Sequence, residues 1–142
     1  MFRGLVVGDS FVYLYCLTAK IKIMKHIYSF EKLDVWKYAK NMAIDVYKLS
    51  SCLPAEEKYG LISQIRRAAF SIPANISEGS SRLSGKSQGN FYQIAYSSLL
   101  ELYNHLVIIT ELGLIEEPKK IYEKVYTVTR MLNALYKSTM KG

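Results

Sequence analysis

Two histidines, His26 and His105, and two cysteines, Cys16 and Cys52, are the side chains of this sequence with the most obvious chemical capacity. The cysteines stand far apart without a close partner, so neither a zinc cluster nor a disulfide framework is indicated, and a reducing cytoplasm is the default setting. His105 follows Glu101 by one helical turn, which places an imidazole beside a carboxylate. Zinc would require a third ligand at matching spacing and none is visible, so a polar pair at a bundle edge is the better reading. Gly79, Gly85 and Gly89 do not form a phosphate-cradling loop, because no strand precedes them and no Gly-Lys-Ser/Thr follows. No catalytic residue, metal site or cofactor is expected.

The cations are more informative, above all Arg66 and Arg67 in the stretch GLISQIRRAAFSIPANISEG. On a helix whose core stripe is Ile62, Ile65, Ala69, Ile72 and Ile76, Arg67 projects almost opposite the core and Arg66 lies at its boundary, roughly 80° off at 100° per residue. Arg66 is therefore expected to be structural, and Glu101, at a similar boundary on a neighbouring helix, is its expected ion-pair partner. Arg67, Arg82 and Lys86 look free to touch phosphates, with tyrosines nearby to stack on bases, although scattered cations also suit a solvated face.

Four segments beyond Phe30 carry a helical period, and none carries the two-residue alternation of a half-buried strand. The first places Trp36, Ala39, Ala43, Val46, Leu49 and Leu53 on one stripe. The second opens at Pro54 with Glu56 and Glu57, residues that suit a helix start. Pro73 lies inside its pattern and predicts a kink, because Ile76 keeps the register. The third runs from about Ser87 to Leu112, stopped by Gly113, with the stripe Phe91, Ala95, Ser98, Leu102, Leu106 and Ile109. The fourth opens at Pro118 and carries Ile121, Val125, Val128, Leu132 and Leu135. The expected fold is all-α, an antiparallel up-down-up-down four-helix bundle over residues 29–142.

Helix three holds a surplus stripe, Tyr96, Leu100, Tyr103 and Val107, on a face away from its core. Leu100 points roughly 160° from the core direction at 100° per residue, so an isolated bundle would leave it in water. Such a stripe marks an interface, here expected to be between copies of the chain, unless the N-terminal appendage or a bend covers it.

With 142 residues, half of them hydrophobic, the chain can bury one sizeable core and not two. Nineteen basic against twelve acidic residues leave a formal charge of +7, a bias towards anionic partners. The apolar run from Phe11 to Ala19 is too short to span a bilayer, and Asp9, Lys20 and Lys22 do not suit a secretory leader. Residues 1–28 are read as an appendage, disordered or not native, with Met24 as the expected start and residues 1–23 as dispensable.

The stretch GLISQIRRAAFSIPANISEG, preceded by FEKLDVWKYAKNMAIDVYKLS and followed by a long helix ending ELGLI, resembles the four-helix-bundle family encoded in intervening sequences of bacterial 23S ribosomal RNA genes. The resemblance covers roughly residues 29 to 115 by motif and the fourth helix by pattern. That family is similar in fold to the accessory variability determinant of diversity-generating retroelements, a pentameric barrel that binds nucleic acid. The resemblance implies a homopentamer without enzymatic activity. Two functions follow as expectations: an oligomeric accessory protein that binds structured RNA or another nucleic acid, or serves a nucleic-acid-processing protein, and alternatively a protein-protein scaffold without nucleic acid.

Overall fold

The computed structural model describes residues 28–141. Four helices, α1 (Asp34–Ser50), α2 (Leu61–Ser80), α3 (Gly85–Glu111) and α4 (Lys119–Met140), form an all-α bundle in up-down-up-down order. Each packs on its neighbour in sequence, and α1 packs on α4 to close a square; neither diagonal pair comes close. The α1–α2 seam therefore lies on the opposite side of the bundle from the α3–α4 seam.

Local sequence explains the ends. Asp34 in the first turn of α1 and Lys48 in the last complement the helix dipole. The expected second helix does not begin at Pro54. Pro54 is extended and heads a short 3₁₀ turn, Ala55–Glu57, and Gly60 then starts α2 at Leu61. The acidic pair belongs to that turn. Helix α3 starts two residues before the expected Ser87 because the Ser84 hydroxyl accepts from the Ser87 amide at 3.2 Å. It stops where Gly113 takes φ +70. There the Leu114 amide reaches the Ile109 carbonyl at 3.0 Å and the Gly113 amide that of Thr110 at 2.9 Å, the paired bonds of a Schellman cap.

Helix α2 continues through Pro73. The proline leaves the Ala69 carbonyl without its amide donor, but Ile72 and Ile76 on either side are fully buried and hold the helix in register. The core otherwise follows the stripes with a rotation. Ala39, Ala43, Val46, Ile62, Ile65, Ala69, Leu102, Leu106, Ile109, Val128 and Leu132 are buried as expected. Trp36, Leu49, Phe91 and Leu135 are only partly buried, and Val35, Met42, Ala68, Tyr92 and Leu99 take core positions beside them. In a square bundle each helix meets two neighbours, so its apolar face is wider than one row of i, i+3, i+4 positions.

The seams also carry polar ties. Lys124 on α4 pairs with Asp45 on α1, and the Gln93 amide donates to the Tyr136 hydroxyl at 2.9 Å between α3 and α4. At the α2–α3 end, a Cβ on Gly79 would stand 2.7 Å from the Tyr92 ring, and one on Gly85 would stand 2.5 Å from the Thr139 carbonyl. Glycine lets the helices approach closely there.

Candidate functional surfaces

The α1–α2 seam carries a cluster built on Arg66. Its guanidinium lies 4.0 Å from the centre of the Tyr47 ring, Nε donates to the Ser50 hydroxyl at 2.7 Å, and Nη2 donates to Ser51 at 3.2 Å. Phe70 stacks on Tyr47 at 6.0 Å with 24° between the rings. Arg66 is thus structural, but the expected partner is wrong. Arg66 turns towards α1, whereas Glu101 lies on α3 with its carboxylate 3.5 Å from His105 Nε2. The flat guanidinium gains a ring face and two hydroxyl acceptors, a better match than one distant carboxylate.

Tyr47 and Phe70 are each half-exposed, and Lys40, Ile44 and Lys48 repeat at steps of four along the solvent side of α1. The other charges of that helix do not oppose this basic character, since Asp34 pairs with Lys37 and Asp45 with Lys124. The α1–α2 side therefore presents an aromatic patch beside the exposed lysines of α1, with Glu56 and Glu57 in the turn at its end. The sequence reading missed Tyr47 and Phe70, whose signal was a large ring placed one residue off the core stripe, after Val46 and Ala69.

The surplus stripe of α3 runs along its seam with α4, partly packed and partly exposed. Tyr103 meets the Tyr122 ring edge-on at 5.5 Å, and Tyr96 packs against the core. Val107 is partly buried, while Leu100 and Tyr103 remain 51% and 47% exposed. They line a groove of about 760 Å³ along the α3–α4 seam, floored by Leu99 and Val125 and walled on the α4 side by Tyr122 and Tyr126. The charged residues lining it are Glu111 and Glu117, both acidic.

The three cations expected to bind phosphate do not form one patch. Arg67 is exposed near the start of α2, thirteen residues before the end of that helix, so it stands about 20 Å from the α2–α3 turn at 1.5 Å per residue. Arg82 in that turn is not free. Its guanidinium pairs with Glu78 and lies 4.5 Å from the centre of the Phe91 ring. Lys86 is exposed in the first turn of α3. Four of the basic residues, Arg3, Lys20, Lys22 and Lys25, precede residue 28 and lie outside the described residues, as do His26, Cys16 and the Phe11–Ala19 run.

Among the described residues no three His, Cys, Asp or Glu side chains gather as metal ligands. His105 is largely buried, with Nε2 lacking a hydrogen-bond partner, and Cys52 is an exposed thiol. No described helix is long and apolar enough to cross a membrane. Two seams stand out on the described surface, α1–α2 with its exposed rings beside lysines and α3–α4 with an apolar groove edged by Glu111 and Glu117.

The fold is shared with a solved protein of unknown function from the S23 ribosomal protein family of Bacteroides thetaiotaomicron. That structure is 22% identical in sequence, with a TM-score of 0.55 over 75% of this chain and 95% of its own. No curated protein matches the sequence. The family model for the 23S rRNA-intervening sequence protein matches residues 31–134, from the turn before α1 to the last turns of α4. The chain belongs to the family of 23S rRNA-intervening sequence proteins.

Proposed function

We propose that this chain is a non-enzymatic accessory protein that acts by assembling with copies of itself and presenting the assembled surface to a partner. The observation that supports this reading is the α3–α4 groove, where Leu100 and Tyr103 stay about half-exposed beside Tyr126, itself 65% exposed. An apolar surface of this kind marks a site of association rather than a solvated face. Its tyrosines suit such a contact, since they bring large rigid area with few rotatable bonds. The family resemblance implies five subunits. Sedimentation of the whole chain at micromolar concentration tests the proposal: a multimer is expected, and a monomer overturns it.

Nucleic-acid binding is the second reading, favoured by Arg67 and Lys86, which are exposed without an ion-pair partner among the described residues. Arg67 and Lys86 alone give one subunit little affinity for phosphate. Repetition around an oligomer would multiply them, so this activity depends on assembly.

A further inference from the structure

Arg66 holds α1 against α2, yet its charge has no counter-ion: no carboxylate among the described residues pairs with it. Ser50 and Ser51 take two of its N–H groups, while Nη1 has no partner among the described residues and keeps contact with solvent. Resting on the nucleic-acid reading above, we propose that the α1–α2 face is a binding strip for single-stranded RNA, on which Arg66 grips a phosphate and the Tyr47–Phe70 pair stacks an unpaired base.

Three observations carry this. The first is the meeting of ring and cation. The guanidinium lies 4.0 Å from the centre of the Tyr47 ring and that ring 6.0 Å from Phe70, so a phosphate on Nη1 and a base on the open side of Phe70 are neighbours. Tyr47 and Phe70 are 46% and 47% exposed, which leaves ring surface open for stacking. A guanidinium already fixed by a ring and two hydroxyls loses little freedom when it takes an anion, and its planar fork matches phosphate oxygens.

The second is the course of the strip. Lys40, Ile44 and Lys48 follow one another on the solvent side of α1 at steps of four, about 6 Å each at 1.5 Å per residue. At the far end Lys40 lies 5.1 Å from the centre of the partly exposed Trp36 ring, so a second ring and cation stand together there. Rings at both ends with lysines between them suit an extended strand, whose bases stack on aromatic faces while its backbone follows the positive charge.

The third is sign. Asp34 and Asp45, the two acids of α1, are paired with Lys37 and Lys124. Glu56 and Glu57 lie in the turn before α2, and Phe70 stands nine residues beyond Leu61, the first residue of that helix. That is about 14 Å at 1.5 Å per residue, further than the screening length of about 8 Å at physiological salt, and the strip leads away from the turn towards Lys40. A protein partner fits this face less well, because lysines are depleted from protein interfaces and an apolar cover would strand the charge of Arg66.

The test measures binding of fluorescein-labelled oligouridylate to the full chain by anisotropy across a salt series, with the probe single-stranded or annealed to oligoadenylate. Wild type is expected to bind the single strand at low salt and the duplex several-fold more weakly, because paired bases cannot stack on a ring. Phe70→Leu, which keeps an apolar side chain, should lose about five- to a hundredfold in affinity with the salt slope unchanged. Lys40→Gln combined with Lys48→Gln should make the slope shallower by about 1.4, at about 0.7 for each phosphate contact to a single strand. Both variants should keep wild-type sedimentation and helical circular dichroism. Phe70→Leu binding like wild type, a slope unaffected by the lysine changes, or single strand and duplex binding alike overturns the stacking strip while the nucleic-acid reading stands. No binding by wild type at low salt overturns that reading itself. If Phe70→Leu fails to fold, ultraviolet crosslinking of oligouridylate to the wild-type chain decides: uridine attached at Tyr47 or Phe70 supports the proposal, and attachment only elsewhere, or none, overturns it.

Discussion

The hydroxyl oxygens of Ser71 and Ser98 lie 2.9 Å apart across the seam between α2 and α3, and this contact shows how that pair packs. Ser98 also donates to the Ile94 carbonyl at 3.0 Å, and the Asn75 side-chain amide reaches the Ser71 hydroxyl at 3.0 Å, so small polar groups satisfy one another where large ones would not fit. Ser98→Leu is expected to destabilise by about 1 to 3 kcal/mol through overpacking, and Ser98→Ala by about 1 kcal/mol or less, since Asn75 still serves Ser71. Urea unfolding midpoints separate the two; equal losses would show that the seam does not depend on residue size.

The Arg66 cluster gives a second expectation. Arg66→Lys keeps the charge but loses the flat stack on Tyr47 and the paired donors to Ser50 and Ser51. A loss of about 1 kcal/mol is expected, kept modest because the group is partly solvated. Glu101→Gln should leave stability unchanged within about 0.5 kcal/mol, as surface changes do. A larger loss from Glu101→Gln than from Arg66→Lys would restore the arginine-carboxylate pair suggested by sequence spacing.

Gly85 offers a third test, because propensity and packing predict opposite signs. Gly85 is the first residue of α3, where alanine is still favoured over glycine, though by less than the roughly 1 kcal/mol of a helix interior. A Cβ at Gly85 would, however, meet the backbone oxygen of Thr139, in the last turn of α4, at 2.5 Å, so the main chain there would have to shift rather than a side chain. Gly85→Ala is therefore expected to lower the melting temperature, with a cost of about 1 to 3 kcal/mol. A stabilised variant would mean that the end of α4 yields at little cost.

These cases show what the sequence carried and what it did not. Periodicity located all four helices and most of the core, because burial along a helix is written in steps of three and four. It gave α3 one contact face, whereas a square bundle gives it two, and Tyr92 and Leu99 take core positions beside the expected stripe, while Leu100 stays half-exposed as its direction implied. The side towards which a boundary residue turns depends on its neighbours' chemistry: Arg66 found a tyrosine and two serines on α1 that no spacing rule would pair with it. The separation of Arg67 from Arg82 was legible from helix length alone. The pairing of Arg82 with Glu78 was legible too, as an i, i+4 relationship across the last turn of α2.

Tyr92 makes the pH dependence specific. Burial disfavours the phenolate and raises its pKa above the ordinary 10.0. The folded state then holds its proton where the unfolded chain has released it, so the stability attached to this group is intact below pH 10 and declines as the pH rises through the raised value. Tyr92→Phe should reduce the loss of stability between about pH 9 and 11, seen as a smaller fall in the urea midpoint. An unchanged alkaline slope would assign that loss to other groups.

The nucleic-acid reading yields the last expectation, which differs between assembled and dispersed chains. Arg67 and Lys86 are exposed, whereas Arg82 is engaged by Glu78 and Phe91, so charge reversal at the first two should weaken RNA binding and reversal at Arg82 should matter less. Binding by phosphate contacts releases counterions, so affinity must fall steeply with salt and show little preference for base sequence. A single subunit offers too few such contacts to bind firmly, and only their repetition around an oligomer makes the sum appreciable. RNA affinity measured across a salt series for wild type, Arg67→Glu combined with Lys86→Glu, and Leu100→Asp separates the contributions. Wild type is expected to bind at low salt, the charge variant to bind weakly with a shallower salt slope, and the dispersed Leu100→Asp chain to bind weakly although its cations are intact. Equal binding by all three, or none by wild type at low salt, would leave the bundle as a protein scaffold, with its surfaces serving only copies of itself and protein partners.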